Sequence, residues 1–187
     1  ALQKRSRKSL IDCLARKLAV QVGTGNLESA RMMLETPDAT TALSNAGYKE
    51  AHAVLQKLIV QRSTSSVQPL LARYKWSEAI VELQKMKSEN TLSDKEYEVA
   101  FGIVQDAIHA HLLDLARKGV GAKKPSEVAS SIEAQVQIAK WKQIPDDLTA
   151  ARATLAVAVE CEKVHCRLRK PAPAWAWGAI VVHPPAH

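Results

Sequence analysis

The sequence predicts an all-α protein: an antiparallel helical bundle or a short helical-hairpin solenoid of about seven helices, with an extended C-terminal tail. Three observations carry this expectation. The composition is 47% hydrophobic with only seven Gly and one Phe, and Ala, Leu, Lys, Glu and Gln, which lose little side-chain freedom in a helix, fill most of the middle. Apolar residues recur in steps of three and four rather than two. One packing register, a large apolar residue with Ala three positions on and Leu seven on, appears as Leu27/Ala30/Leu34, Tyr48/Ala51/Leu55, Trp76/Ala79/Leu83 and Leu148/Ala151/Leu155. The only short run that reads as strand is Ala179-Ile180-Val181-Val182.

In chain order, Leu10, Leu14 and Leu18 repeat at helical spacing and predict a helix from Gln3 to Val22, broken at Gly23-Thr24-Gly25. Asn26 caps the next, LESARMMLE, which ends before Pro37. A pair of shorter pieces is expected across Gly47 to Gln61, RSTSS at 62–66 reads as a polar loop, and Pro69 introduces the stretch holding YKWSEAIVELQKM. Ser93 and Glu96 form a capping box, flanked by Leu92 and Tyr97 as a hydrophobic staple. The helix they open carries Tyr97, Phe101, Val104, Ile108, Leu112 and Leu115 in one stripe and stops near Gly119 and Gly121. Pro125 opens a helix with Val128, Ile132, Val136 and Ala139 on one face, followed by Trp141. After the break at Pro145, Asp146 and Asp147 start the last helix, where the helix dipole favours acids; it carries Leu148, Leu155 and Val159 to Arg169.

These elements define a single α-helical domain over 1–170. The segment PAPAWAWGAIVVHPPAH, 171–187, has no charge, four prolines and two tryptophans. It can neither continue a helix nor remain comfortable in water. It is expected to dock, either on its own domain or on a partner, and alternation in an extended segment puts Trp175 and Trp177 on one face. Trp76 and Trp141, at helix ends, are expected to cover joints between neighbouring helices.

The formal net charge is +7. Residues 1–27 carry Lys4, Arg5, Arg7, Lys8, Arg16 and Lys17 against Asp12, and Lys163, Arg167, Arg169 and Lys170 form a second cluster. This pattern points to an anionic partner, whether nucleic acid, an acidic protein surface or lipid headgroups. Three cysteines make no disulfide framework for a chain of 187 residues. No apolar run approaches the ~20 residues that span a bilayer, so the chain is read as soluble. It begins with Ala, and its basic, Ser-containing start resembles the edge of an organellar transit sequence.

Chemistry-bearing motifs are absent. In CEKVHC, Cys161 and His165 share a helix face, but Cys166 points about 100° from His165 and no second Cys/His pair completes a tetrahedral set. His109 and His111 lie on nearly opposite sides of one helix and read as a surface and a boundary histidine. No GxSxG context presents a nucleophile, and VGTGN lacks the order of a phosphate loop. The sequence therefore predicts no catalytic residue, no metal site and no cofactor.

RYKWSEAIVELQKMKSENTLSDKEYEVAF, residues 73–101, resembles the second helix of a pentatricopeptide unit, its turn and the first helix of the next; GNLESARMMLE and AGYKEAHAVLQKL resemble the same second helix. The anchors Leu27, Tyr48 and Trp76 lie 21 and 28 residues apart, whereas tetratricopeptide and pentatricopeptide units repeat at about 34 residues. Across 65–140, Pro69, Leu70, Leu71, Trp76, Leu113 and Asp114 are similar in order to the PsbQ-type extrinsic proteins of photosystem II. The first resemblance implies a helical surface that reads RNA, the second a luminal cap that stabilises a membrane complex.

The expectation is a non-catalytic accessory subunit docking through protein–protein contacts on a larger, organellar complex of photosynthetic-membrane, ribosomal or respiratory type, in chloroplast or mitochondrion. The alternative is an RNA-binding helical-repeat protein. The expected partner-binding residues are Lys4, Arg5, Arg7, Lys8, Arg167, Arg169, Lys170, Trp175 and Trp177. Burial of the tryptophans contributes about 1.5–3 kcal/mol per large side chain, and the basic residues steer encounter.

Overall fold

A computed structural model describes residues 2–36 and 45–169, with side chains described over 9–36 and 45–164. Among the described residues there are seven helices and no strand: α1 (Leu2–Thr24), α2 (Leu27–Glu35), α3 (Asn45–Leu71), α4 (Trp76–Ser88), α5 (Asp94–Gly119), α6 (Pro125–Ala139) and α7 (Asp146–Arg169). No helix is long and apolar enough to cross a membrane among the described residues. The chain groups into two compact units, Ala1–Ile108 and His109–His187, with the boundary inside the continuous helix α5.

In the first unit α1 packs on α2 and α3, α2 on α3, and α3 on α4. Leu18, Leu34, Ile59, Val67, Leu83 and Val104 are fully buried at its centre. Three instances of the recurring register lie here. Leu27, Ala30, Leu34, Ala51, Leu55, Trp76, Ala79 and Leu83 are all buried, and Tyr48 is half-buried. Ala at the middle position lets backbones approach while the flanking larger residues fill the space around it.

Helices α1 and α3 differ from expectation, as does the buried line of α5 described below. In α1 the buried line is Ile11, Leu18 and Val22, and Leu10 is exposed. Leu14 is half-buried, and Leu18 and Val22 carry the buried line into the turn toward α2, so the expected line fails only at its first residue, where Ile11 takes the place of Leu10. The segment RSTSS is helical, part of one long α3 rather than a loop after two short helices. Its hydroxyls satisfy themselves on the preceding turn: Ser63 Oγ donates to the Ile59 carbonyl at 3.0 Å, Thr64 Oγ1 to Val60 at 2.9 Å and Ser65 Oγ to Gln61 at 2.7 Å. Back-bonding makes a serine-rich stretch compatible with a helix whose buried line, Leu55, Ile59, Ser63, Val67 and Leu71, steps by four. Pro69 sits in the last turn of α3, so it precedes the helix end rather than opening α4.

Helices α1, α3 and α4 end alike, with Gly25 (φ +88°), Tyr74 (φ +57°) and Asn90 (φ +56°) in the left-handed region. Asn26 N–H donates to the Gln21 carbonyl at 2.9 Å and Gly25 N–H to Val22 at 3.1 Å; Lys75 and Tyr74 donate in the same way to Leu70 and Leu71, and Thr91 and Asn90 to Met86 and Lys87. This Schellman pattern satisfies the carbonyls that a helix end leaves open. At α1 the Arg62 guanidinium from α3 also donates to the Val22 and Gly23 carbonyls, placing positive charge at the negative end of the helix dipole.

The capping box at α5 forms as expected and is extended. Ser93 N–H donates to Glu96 Oε2 at 2.8 Å and Glu96 N–H to Ser93 Oγ at 3.4 Å. Arg31 of α2 donates to the same Glu96 oxygen at 3.0 Å, to the Asn90 carbonyl at 3.1 Å and to the Thr91 carbonyl at 3.3 Å. One guanidinium thus ties α2 to the α4–α5 turn.

In the second unit the end of α5, α6 and α7 bury Leu112, Ala116, Ile132, Ala139, Leu148 and Leu155. Gly119 sits where a Cβ would lie 2.7 Å from Val128 Cγ1 and 3.0 Å from Leu155 Cδ1, so only glycine permits this approach of α5 to α6 and α7. The first turn of α6 is capped from α7: Ser126 N–H donates to Glu162 Oε2 at 2.9 Å. Arg152 of α7 also pairs with Glu133 of α6. Along α5 the buried line is Ala100, Val104, Ile108, Leu112 and Ala116, whereas Tyr97, Phe101 and Leu115 of the expected stripe are half-buried at its edge.

The end of α1 provides an internal comparison. Gly23 is helical with open space at its Cβ position, whereas Gly25 is left-handed and a Cβ there would lie 3.1 Å from Arg62 Nη2. Gly23→Ala is expected to stabilise the first unit by about 0.5–1 kcal/mol and Gly25→Ala to destabilise it by about 1–2 kcal/mol. Urea unfolding followed by circular dichroism measures both; equal effects of the two substitutions would contradict the assigned turn.

Candidate interaction groove

Helix α5 carries a second apolar line one position before its buried one. Val99 and Ile103, a turn apart, remain 49% and 41% exposed although Ala100 and Val104 beside them are fully buried. Facing them, α3 presents Ala53, Lys57, Val60 and Thr64 at helical spacing. The space between holds about 640 Å³. Its walls are apolar except for Gln56, Gln61, the Thr64 hydroxyl and the Lys57 ammonium. Thr64 Oγ1 bonds back to its own helix, to Val60 and Gln61 carbonyls at 2.9 and 3.1 Å.

Toward the start of both helices the groove becomes polar. Ala53 and Gln56 border both stretches, and beyond them lies a recess of about 670 Å³ whose walls include Tyr48, Lys49, His52, Lys95 and Glu35. Tyr48 and His52 meet edge to face at 4.5 Å between ring centres. Arg31 and Glu96 form its end and are occupied with one another, so Lys49, Lys95 and Lys57 dominate the remaining charge against Glu35. The groove is therefore continuous along α3, apolar at one end and basic at the other. Such a shape suits an amphipathic segment carrying an apolar pair and an acidic end.

The residues expected to bind partners are described only in part. Lys4, Arg5, Arg7 and Lys8 fall on the first turns of α1, and Arg167 and Arg169 on the last turns of α7; their side chains, and all of Lys170, Trp175 and Trp177, lie outside the described part of the chain. Val99 and Ile103 were not singled out by sequence. The signal available was two apolar residues in α5 that fall off its main stripe.

In the second unit the structure joins three residues read separately from sequence. His109 Nε2 of α5 lies 2.9 Å from Asp147 Oδ1 at the start of α7, and the Trp141 ring stands edge-on to the imidazole at 6.4 Å between centres. The same Asp147 oxygen accepts Leu148 N–H at 2.9 Å. This fixes the orientation of the imidazole and ties α5 to the first turn of α7. Cys161 is exposed, and among the described residues no group of three or more His, Cys, Asp or Glu side chains could hold a metal ion.

Two pKa directions follow from this unit. Lost hydration works to raise the Asp147 carboxyl, but the His109 and Leu148 hydrogen bonds outweigh it and hold it below the usual 3.8. Burial pushes the His111 imidazole below 6.5, with Lys118 assisting and Asp114 opposing. In both cases the unfolded chain binds the proton more readily, so stability rises with pH. The contribution of His111 is complete above 6.5 and declines as pH falls below it; that of Asp147 is complete above 3.8 and is lost as pH falls through its lowered value. Urea midpoints of wild type minus His111→Gln should therefore decrease as pH falls below 6.5. A difference that increases there would have the wrong sign.

Compared with protein-family models, with curated proteins and with solved structures, the chain matches none.

Proposed function

We propose that this chain is a non-catalytic accessory subunit that docks on a larger assembly through protein–protein contacts, and that the α3–α5 groove is one of its docking surfaces. The observation that carries the reading is the exposure of Val99 and Ile103 beside Val60 in a concave surface. Exposed apolar residues scattered singly are ordinary, whereas a paired set lining a groove leaves apolar area for a partner to cover. The occupant is an amphipathic helix whose apolar side chains sit over Val99 and Ile103 and whose acidic end meets Lys49, Lys57 and Lys95. An organellar assembly of photosynthetic, ribosomal or respiratory type is the setting we favour, on the basic composition. RNA binding is the second reading, supported by the net charge of +7 and the cluster Lys4, Arg5, Arg7 and Lys8.

Val99→Asp and Ile103→Asp test the first reading, since both positions are exposed and the fold tolerates a charge there. Affinity purification of the full chain from its own source should return a stoichiometric partner set, and each variant should lower recovery at least about tenfold while keeping native circular dichroism. Unchanged recovery removes the groove from the proposal. Deletion of 171–187 measures the tail's share by the same readout. For RNA, filter binding at low salt decides: affinity that falls steeply with salt supports the second reading, and no binding ends it.

A further inference from the structure

Among the described residues, helix α7 keeps an apolar stripe exposed from 150 to 164. Val157 and Val164 are 65% and 52% exposed, and Ala150, Ala153 and Cys161 are exposed on the same line. Positions 150, 153, 157, 161 and 164 step by three and four, so they form one face. That face is opposite the one holding Leu148 and Leu155 in the unit's core. Small residues along it would allow another helix to approach closely.

The charges of α7 indicate what covers this face. The helix begins with Asp146 and Asp147, whereas from Lys163 to Arg169 it carries three basic residues and no acid. A second α7 running parallel would bring like ends together. An antiparallel one brings each acidic start to a basic end and sets the two helix dipoles in opposition. A twofold axis at Val157 then places each Val157 against its copy, Ala153 against Cys161, Ala150 against Val164, and Asp147 level with Arg167. We propose that this chain self-associates through α7, as an antiparallel, twofold-symmetric helix pair centred on Val157. The stripe from 150 to 164 covers about 21 Å of each helix, so the interface is of the small, reversible class.

Sedimentation velocity on the full chain from about 5 µM to about 500 µM tests this, a range suited to interfaces of that class. Wild type should show a monomer–dimer equilibrium that weakens with added salt, and Val157→Glu should raise the dissociation constant at least about tenfold while retaining helicity. In a background with Cys13, Cys161 and Cys166 changed to Ser, Val157→Cys should oxidise to a cross-linked dimer, because the twofold brings position 157 to itself. A monomer at every concentration overturns the proposal. So does a dimer that Val157→Glu leaves intact, or a thiol at position 157 that neither cross-links nor reacts with a soluble thiol reagent, which would mean that another part of the chain, such as residues 170–187, covers the face.

Discussion

Glu96 is the point on which the first unit turns. Its side chain is buried to 8% exposure, and a carboxylate so placed must be matched by donors or its desolvation works against folding. Three groups around it come from three different local decisions of the chain. Ser93 N–H is the open donor at the start of α5, Arg31 projects from the middle of α2, and the Asn90 and Thr91 carbonyls, held by the left-handed turn at Asn90, take the rest of the guanidinium. Among the described residues no buried side-chain nitrogen or oxygen lacks a partner, so this cluster is a fully satisfied one. Because Arg31 and Glu96 also form the polar end of the groove, the interaction that closes the α4–α5 turn also sets the position of α5 against α2. The groove is a consequence of that placement.

The second unit relies on a different constraint, which is close approach. Gly119 lets α5 meet Val128 and Leu155, and the polar ties at the helix starts, Glu162 to Ser126 and His109 to Asp147, lie on the periphery of that contact. Packing fixes the helices, and the exposed ion pairs contribute little by themselves. The exposed face of α7 follows from the same economy: among the described residues Leu148 and Leu155 are its fully buried side chains, and Ala150, Ala153, Val157 and Val164 on the far side stay exposed.

Much of the fold was legible because helix starts and ends are chemically marked. The Ser93–Glu96 box, Asn26 as a cap, Pro125 at the first turn of α6 and the acids opening α7 all act through local hydrogen bonds or the dipole, which a sequence displays directly. The recurring Ala register likewise corresponds to buried positions at Ala30, Ala51 and Ala79, whereas the Ala of its fourth instance, Ala151, is half-buried. RSTSS misled because a run of hydroxyls has two outcomes, loop or back-bonded helix, and the choice is made by the buried line through Ser63 and Val67 rather than by the run itself. The groove was not legible: Val99 and Ile103 look like ordinary helix residues until α3 is seen beside them. The His109–Asp147 pair spans 38 residues, and no local pattern signals it.

The account of the first unit rests on coupling between Arg31 and Glu96, and a double-mutant cycle measures it directly. With Arg31→Ala, Glu96→Ala and the double variant unfolded in urea, the interaction is expected to exceed about 1.5 kcal/mol, since either single change strands a partly or fully buried partner. Effects that add to within about 0.5 kcal/mol would show the two residues to be independent and would contradict the role assigned to this ion pair.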